Sequence, residues 1–199
     1  MGRSWSRLVR QLPRTVRGAL AALAVPALLV AGLTAPAQAA PAVHTWSLSD
    51  GFEVGATGSW TFGGVPSCVN CGYVSDDPWQ ARSGTRWASI EARASDSWFS
   101  VGRTVRLAPP TTSASCAARM YVKVAAGTVN VEVINPATWT YLAVSTVGVG
   151  DDYQRVTTGI WRATTPADVV VRASVVRAGS PPTSAFANVD DVSVTCTYF

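Results

Sequence analysis

Three stretches of the chain alternate strictly between apolar and polar positions, and no stretch of comparable length shows helical spacing. In "CAARMYVKV", Cys116, Ala118, Met120 and Val122 fall on one side, and Arg119, Tyr121 and Lys123 on the other. In "TVNVEV", Val129, Val131 and Val133 oppose Asn130 and Glu132. In "DVVVRASVV", Val169, Val171, Ala173 and Val175 oppose Arg172 and Ser174. Side chains of a strand point alternately to its two faces, so each stretch has one greasy face to bury and one polar face to spare. Similar Val-, Thr- and Trp-rich runs, separated by Gly, Pro, Ser and Asp, place strands at 43–48, 59–63, 86–92, 97–107, 116–124, 128–134, 139–146, 154–161, 168–177 and 186–198. Strands recurring about every ten residues with turn signals between them predict an all-β, two-sheet jelly-roll sandwich.

Residues 1–39 have a different character. Arg3, Arg7, Arg10, Arg14 and Arg17 form a basic lead with no acids, an apolar run "ALAALAVPALLVAGL" follows, and "APAQAA" closes it. That order predicts a cleaved secretory signal peptide. The apolar run is short for a membrane span and is interrupted by Pro26, so no span is expected after cleavage. Residues 40–199 then form a single secreted, extracellular domain, long enough for a full core. Five of the sixteen basic residues leave with the leader, and eleven remain against twelve acids. The basic isoelectric point therefore belongs to the leader, and nucleic acid is not expected as a partner.

All four cysteines lie in the exported part, where disulfides are the default. Four cysteines allow three pairings. If strand 116–124 runs antiparallel beside the last strand, a register with Cys116 opposite Cys196 also sets Lys123 opposite Val189. Cys116–Cys196 is the expected long bridge. Cys68–Cys71, in a loop rich in Ser and Gly with no helix after it, is then a local staple rather than a redox or metal motif.

The last strand carries an anomaly, Asp190–Asp191, inside "ANVDDVSV". Adjacent carboxylates are poor strand formers. Near the other end stands "DGFEVGATGSW", with Glu53. First and last strands of a sandwich commonly lie side by side, which would bring Glu53 to Asp190. Carboxylates and backbone carbonyls converging there would repel unless a hard cation sat between them, and outside the cell that cation is calcium. With "SGTRWASIEA", "SWFSVGRTVRL" and "YQRVTTGIWRA" between them, these segments resemble, in the same order, calcium-containing jelly-roll carbohydrate-binding modules and, more widely, galactose-binding-like domains. The resemblance implies a structural calcium held by Glu53 and Asp190, with Asp191 the less favoured partner. Backbone carbonyls of the 83–85 loop would supply further ligands.

No catalytic constellation is evident. His44 is the one histidine, and any histidine-centred triad must use it. No strand carries the alternating acids of a jelly-roll glycosidase, and Asp76–Asp77 and Asp151–Asp152 read as solvated turns. The chain is expected to be a non-enzyme. Binding remains. Trp60 and Trp161 are expected in the core, whereas Trp79 and Trp139 follow proline in loops. Sugar rings need an aromatic plane and polar groups for their hydroxyls. The spare strand faces offer Arg119, Tyr121, Asn130, Glu132 and Arg172, with Tyr141 nearby. The expected function is a secreted, non-catalytic carbohydrate-binding protein whose poly- or oligosaccharide lies on one sheet face and loop aromatics. A cell-envelope glycan is one such ligand. The competing reading is a secreted structural or protein-interaction sandwich with no sugar ligand.

Overall fold

The computed structural model describes residues 41–55, 59–65, 68–177 and 184–199. All belong to the compact unit Ala40–Phe199, and residues 1–39, where a leader is expected, lie outside the described residues. Among the described residues twelve strands pair antiparallel in two sheets. The first sheet is built on two long strands, β6 (Ser113–Ala126) and β12 (Ala185–Tyr198). β9 (Gln154–Thr157) and β10 (Trp161–Thr164) share the free edge of β6. β4 (Trp87–Ala92) and β1 (His44–Asp50) share the free edge of β12, and β3 (Gly72–Ser75) pairs with β4. The second sheet runs β2 (Thr61–Val65), β5 (Trp98–Leu107), β11 (Ala167–Val176), β7 (Thr128–Asn135), β8 (Thr140–Gly148).

The alternation read from sequence decides which side of each strand is buried. Met120 and Val122 of β6, Val131 and Val133 of β7, and Val171 and Val175 of β11 are fully buried in the same core. Each such side chain contributes roughly 1.5–3 kcal/mol by leaving water. Phe52 is wholly buried too and packs on Trp60, with ring centroids 4.4 Å apart. Trp60 and Trp161 are core residues, as their positions imply. Arg103 stands in the inward row of β5 opposite Val171 and caps that edge of the core through an ion pair with Asp50.

Two strand assignments change. β3 falls in a stretch read as loop. The run 154–161 is two strands, because Thr158 leaves the ladder: its N–H donates to the Ala118 carbonyl (2.9 Å), while its hydroxyl accepts the Ala118 N–H (3.0 Å). The side chain replaces a ladder partner, and one extra residue is spent before pairing resumes at Trp161 opposite Cys116.

Cys116 and Cys196 are direct cross-strand partners and form a disulfide, with Cα atoms 4.0 Å apart. Cys68 and Cys71 form the second. The register expected beyond Cys196 does not hold, however. Val189 lies opposite Val122, and Lys123 lies opposite Asn188. A bulge intervenes, in which Asp190 pairs with Tyr121 and Ser193 with Arg119, so β12 spends one residue more than β6. Asp191 adopts a φ of 45°, the backbone turn that absorbs it. The extra residue switches the phase of the strand. Ala187 and Val189 precede it, Val192 and Val194 follow it, and all four face the core although their sequence parities differ.

Candidate ligand-binding groove and acidic clamp

The outer face of the second sheet is laid out by its register. One row across the strands reads Gly63, Ser100, Ser174, Asn130, Thr146. The next reads Thr61, Gly102, Arg172, Glu132, Val144. Small residues on β2, β5 and β11 keep this floor low. A Cβ on Gly102 would stand 3.2 Å from the Cβ of Arg172, so glycine there lets the arginine lie flat. Taller aromatics rise beside the floor: Trp98 at the start of β5, Tyr141 on β8, and Trp139 in the turn between β7 and β8. That turn is closed by the Trp139 N–H on the Asn135 carbonyl (2.8 Å) and the Ala137 N–H on Asn135 Oδ1 (2.9 Å). Trp139 takes a positive φ and is 65% exposed.

Two adjoining clefts result. One, of about 390 Å³, is lined by Trp98, Asn130, Glu132, Tyr141, Arg172 and Ser174 among others. The second, of about 210 Å³, runs from Thr61 and Gly63 past Trp98 and Arg172 to Trp139. Trp98 and Arg172 belong to both and make the pier between them. Arg172 lies over the Trp98 ring at 5.1 Å and donates from Nε to Glu132 Oε2 (2.6 Å). Ser174 donates to the same oxygen (2.9 Å). Glu132 is 3% exposed, so it fixes Arg172 from below instead of meeting a ligand broadly. Among the described residues the Arg172 Nη groups have no hydrogen-bond partner, and Asn130 spends only Oδ1, on Thr146 Oγ1 (2.8 Å). The groove therefore offers stacking planes and free donors.

Five of the eight residues expected on a binding face come together here: Asn130, Glu132, Trp139, Tyr141 and Arg172. The other three do not. Arg119 and Tyr121 project from β6 on the outer face of the first sheet, in a separate cleft of about 250 Å³ with Asp50 and Asp191. Trp79, 93% exposed, tops a turn on that sheet's side, held by its N–H on Asp77 Oδ1 (3.1 Å). Alternation assigns a residue to the inner or outer face of its own strand, but not to one sheet or the other; one sheet face shared by Arg119 and Tyr121 with Asn130, Glu132 and Arg172 is therefore corrected. Trp98 was missed as a groove residue. The signal was present, since in "WFSVGRTVRL" it shares parity with Ser100, Gly102 and Thr104, opposite Phe99, Val101 and Val105.

The acids of the two chain ends grip one loop. Glu53 Oε1 accepts the N–H groups of Thr85 (2.8 Å) and Arg86 (3.0 Å), and Oε2 accepts the Thr85 hydroxyl (2.9 Å). Asp190 Oδ2 accepts the N–H groups of Arg82 (2.8 Å) and Ser83 (3.2 Å). Asp191 takes the Ser83 hydroxyl on Oδ1 (2.6 Å) and ion-pairs with Arg82 through Oδ2. Amide donation, that of Thr85 first, holds Glu53 below the usual carboxylate range. Asp190 is fully buried, and burial pushes it up to about 6 in spite of its three amide partners. Gly51 sits against all three acids. A Cβ there would stand 3.3 Å from Asp191 Oδ1, 3.7 Å from Asp190 Oδ1 and 3.9 Å from Glu53 Cγ. Among the described residues the one group of three candidate metal ligands within mutual reach is Cys68, Cys71 and Asp96, and its two cysteines are bridged to each other.

His44 stacks on Tyr198 at the margin of the first sheet, with ring centroids 5.5 Å apart. Among the described residues no hydrogen bond or ion pair joins it to a carboxylate.

No protein-family model matches the chain, and no curated protein matches it. Solved structures do. A family 61 carbohydrate-binding module in complex with β-1,4-galactotriose superposes with a TM-score of 0.54 at 15% identity, over 72% of this chain and 92% of that one. A family 22 xylan-binding domain from Paenibacillus barcinonensis Xyn10C gives 0.46 at 15% identity, over 75% and 92%. A family 29 module complexed with mannohexaose gives 0.46 at 12%, over 76% and 92%. At 15% identity the likeness to the family 61 module shows the fold alone: an all-β jelly roll of two antiparallel sheets.

Proposed function

We propose that this chain is an exported, non-catalytic carbohydrate-binding protein whose glycan lies in the groove on the outer face of the second sheet. The observation that carries this is the pair of clefts sharing Trp98 and Arg172, with Trp139 and Tyr141 at their outer ends. A pyranose has an apolar face for an aromatic plane and hydroxyls and a ring oxygen for donors. The groove presents both, on side chains fixed in advance by Glu132, Ser174 and Thr146. The structural neighbour in complex with galactotriose supports the reading through its shared fold. The test is retention of the protein on a panel of soluble and insoluble polysaccharides, cell-envelope glycans included, with Trp98→Ala and Trp139→Ala as controls. Retention by one glycan, lost in both variants, supports the groove. Retention that both variants keep overturns it.

A structural calcium is part of the proposal. Its residues would be Asp190 and Glu53, with Asp191 beside them. The oxygen donors are the carboxylates themselves: the loop turns its N–H groups toward Glu53 and Asp190, where carbonyls of residues 83–85 were expected. Each carboxylate oxygen has two lone pairs, and Asp190 Oδ1 and Glu53 Oε2 each have one left after their hydrogen bonds. Gly51 leaves space where a side chain would intrude. A hard cation would offset the buried charge of Asp190.

The competing reading, a sandwich that binds protein instead of sugar, rests on Trp79. It is nearly fully exposed on a turn held by the Trp87 indole N–H on the Asp77 carbonyl (3.1 Å) and by Tyr153 OH on the Gln80 carbonyl (3.0 Å), and it is remote in sequence and sheet from the groove.

A further inference from the structure

The groove has a charge balance of its own. Among the residues lining its two clefts, the ionic side chains are Arg172 and Glu132, and they are paired. The next charged pair out along β5 and β11, Arg106 with Asp168, is matched too, at 3.2 Å. Glu132 is nearly dry, so its charge is poorly screened by water or salt, and it stands directly behind the one guanidinium a ligand would meet. A ligand carboxylate or sulfate docking on the Arg172 Nη groups would share that guanidinium with a second, buried anion. Like charges brought together in a partly desolvated site repel strongly. A hydroxyl or ring oxygen accepting from the same Nη groups meets no such opposition.

We propose that Glu132 sets the charge class of the ligand: by neutralising Arg172 from beneath the groove it admits uncharged glycan chains and excludes polyuronates and sulfated glycans. This rests on the groove being the glycan site. Glu132 is a positioning residue here, because it acts through Arg172. Its carboxylate has two effects that can be separated. It holds the guanidinium against Trp98, and it cancels its charge. Glutamine in its place retains an oxygen able to accept from Arg172 Nε and Ser174 Oγ, and removes the charge.

The experiment uses the whole exported protein, the retained neutral polysaccharide, and carboxymethylated and hydroxyethylated forms of it at equal substitution. Polygalacturonate is added as a natural polyuronate. The proposal expects the wild type to bind the neutral and hydroxyethylated chains with less than about a twofold change between low and high salt, and not to be retained by the two acidic ones. It expects Glu132→Gln to gain retention by the acidic chains, and high salt to abolish that gain. A purely structural role for Glu132 would weaken binding to every chain and create none. Wild-type retention by polygalacturonate that Trp98→Ala removes overturns the proposal and leaves the groove intact. So does a folded Glu132→Gln that gains nothing. If Glu132→Gln does not fold, the comparison of carboxymethylated with hydroxyethylated chain on the wild type decides alone, with equal retention overturning the proposal. Failure of the wild type to be retained by any glycan removes the groove reading itself.

Discussion

Glu53 and Asp190 hold the same loop by its two halves: Glu53 accepts the backbone N–H groups of Thr85 and Arg86, and Asp190 those of Arg82 and Ser83. The first and last strands are neighbours along their whole shared length, from His44 opposite Tyr198 to Asp50 opposite Val192. The two acids therefore arrive at one place from opposite ends of the sequence, and the loop between β3 and β4 is what they share.

Removing either acid should loosen that loop before it unfolds the domain. Glu53→Ala strands two N–H groups that water can reach, and should cost about 1 kcal/mol. Asp190→Asn turns a buried acceptor of amides into a donor facing them, and should cost about 2–3 kcal/mol. Arg82 and Arg86 are cleavage points for trypsin. Limited proteolysis of both variants should cut there faster than in the wild type, while melting shows the larger loss for Asp190→Asn. Equal resistance in all three proteins would mean that the loop is held by something other than the acids.

The buried Asp190 should carry a pH signature, and under the calcium proposal its sign should change with the metal. Its folded value is raised, to about 6, from an ordinary value of 3.8. Between those values the unfolded chain has lost the proton and the folded chain keeps it, so stability falls as pH rises through that window and levels off above it. With chelator present, the melting temperature should decline from pH 4 to pH 6. With calcium present the ionised form is the one that binds, and the decline should vanish or reverse. A profile identical in chelator and calcium would remove the metal from the proposal.

The two disulfides should differ in weight. Cys116–Cys196 closes a loop with a sequence separation of 80, Cys68–Cys71 one of 3. On chain entropy the first contributes roughly four to five kcal/mol and the second about two. Paired Cys→Ser variants, compared by denaturant melting, should rank in that order. The long bridge also ties β6 to β12 beyond the bulge, where the regular register has resumed, so its loss should broaden the transition of the first sheet.

Much of this fold was legible because burial writes itself into alternation. Met120, Val131 and Val171 could be placed inward from their neighbours alone. Three things could not. β3 is four residues, too short for a period to show. The bulge at Asp190–Asp191 leaves no mark except two acids where strand residues belong, and its one-residue slip sets Val122, not Lys123, against Val189. Finally, Arg119 and Arg172 have the same local pattern, a cation between apolar neighbours, yet they occupy opposite outer faces of the sandwich. That difference is a matter of which sheet each strand joins, which long-range pairing decides and local sequence does not.

The separation of those two faces gives the sharpest test of where sugar binds. Trp98, Trp139, Tyr141 and Arg172 line the groove on the second sheet, while Trp79, Arg119 and Tyr121 stand on the first. Alanine at Trp98, Trp139 or Arg172 should weaken glycan binding by more than about tenfold, since a desolvated aromatic or arginine anchor carries most of the energy of such a contact. Gly102→Ala should weaken it as well, because the new Cβ lifts Arg172 off the floor, where only 3.2 Å separates the two positions. Alanine at Trp79, Arg119 or Tyr121 should leave the affinity within about twofold. Titration calorimetry against the retained oligosaccharide reads all seven. Loss of binding in the second group with retention in the first would move the site to the other sheet, beside the acidic clamp.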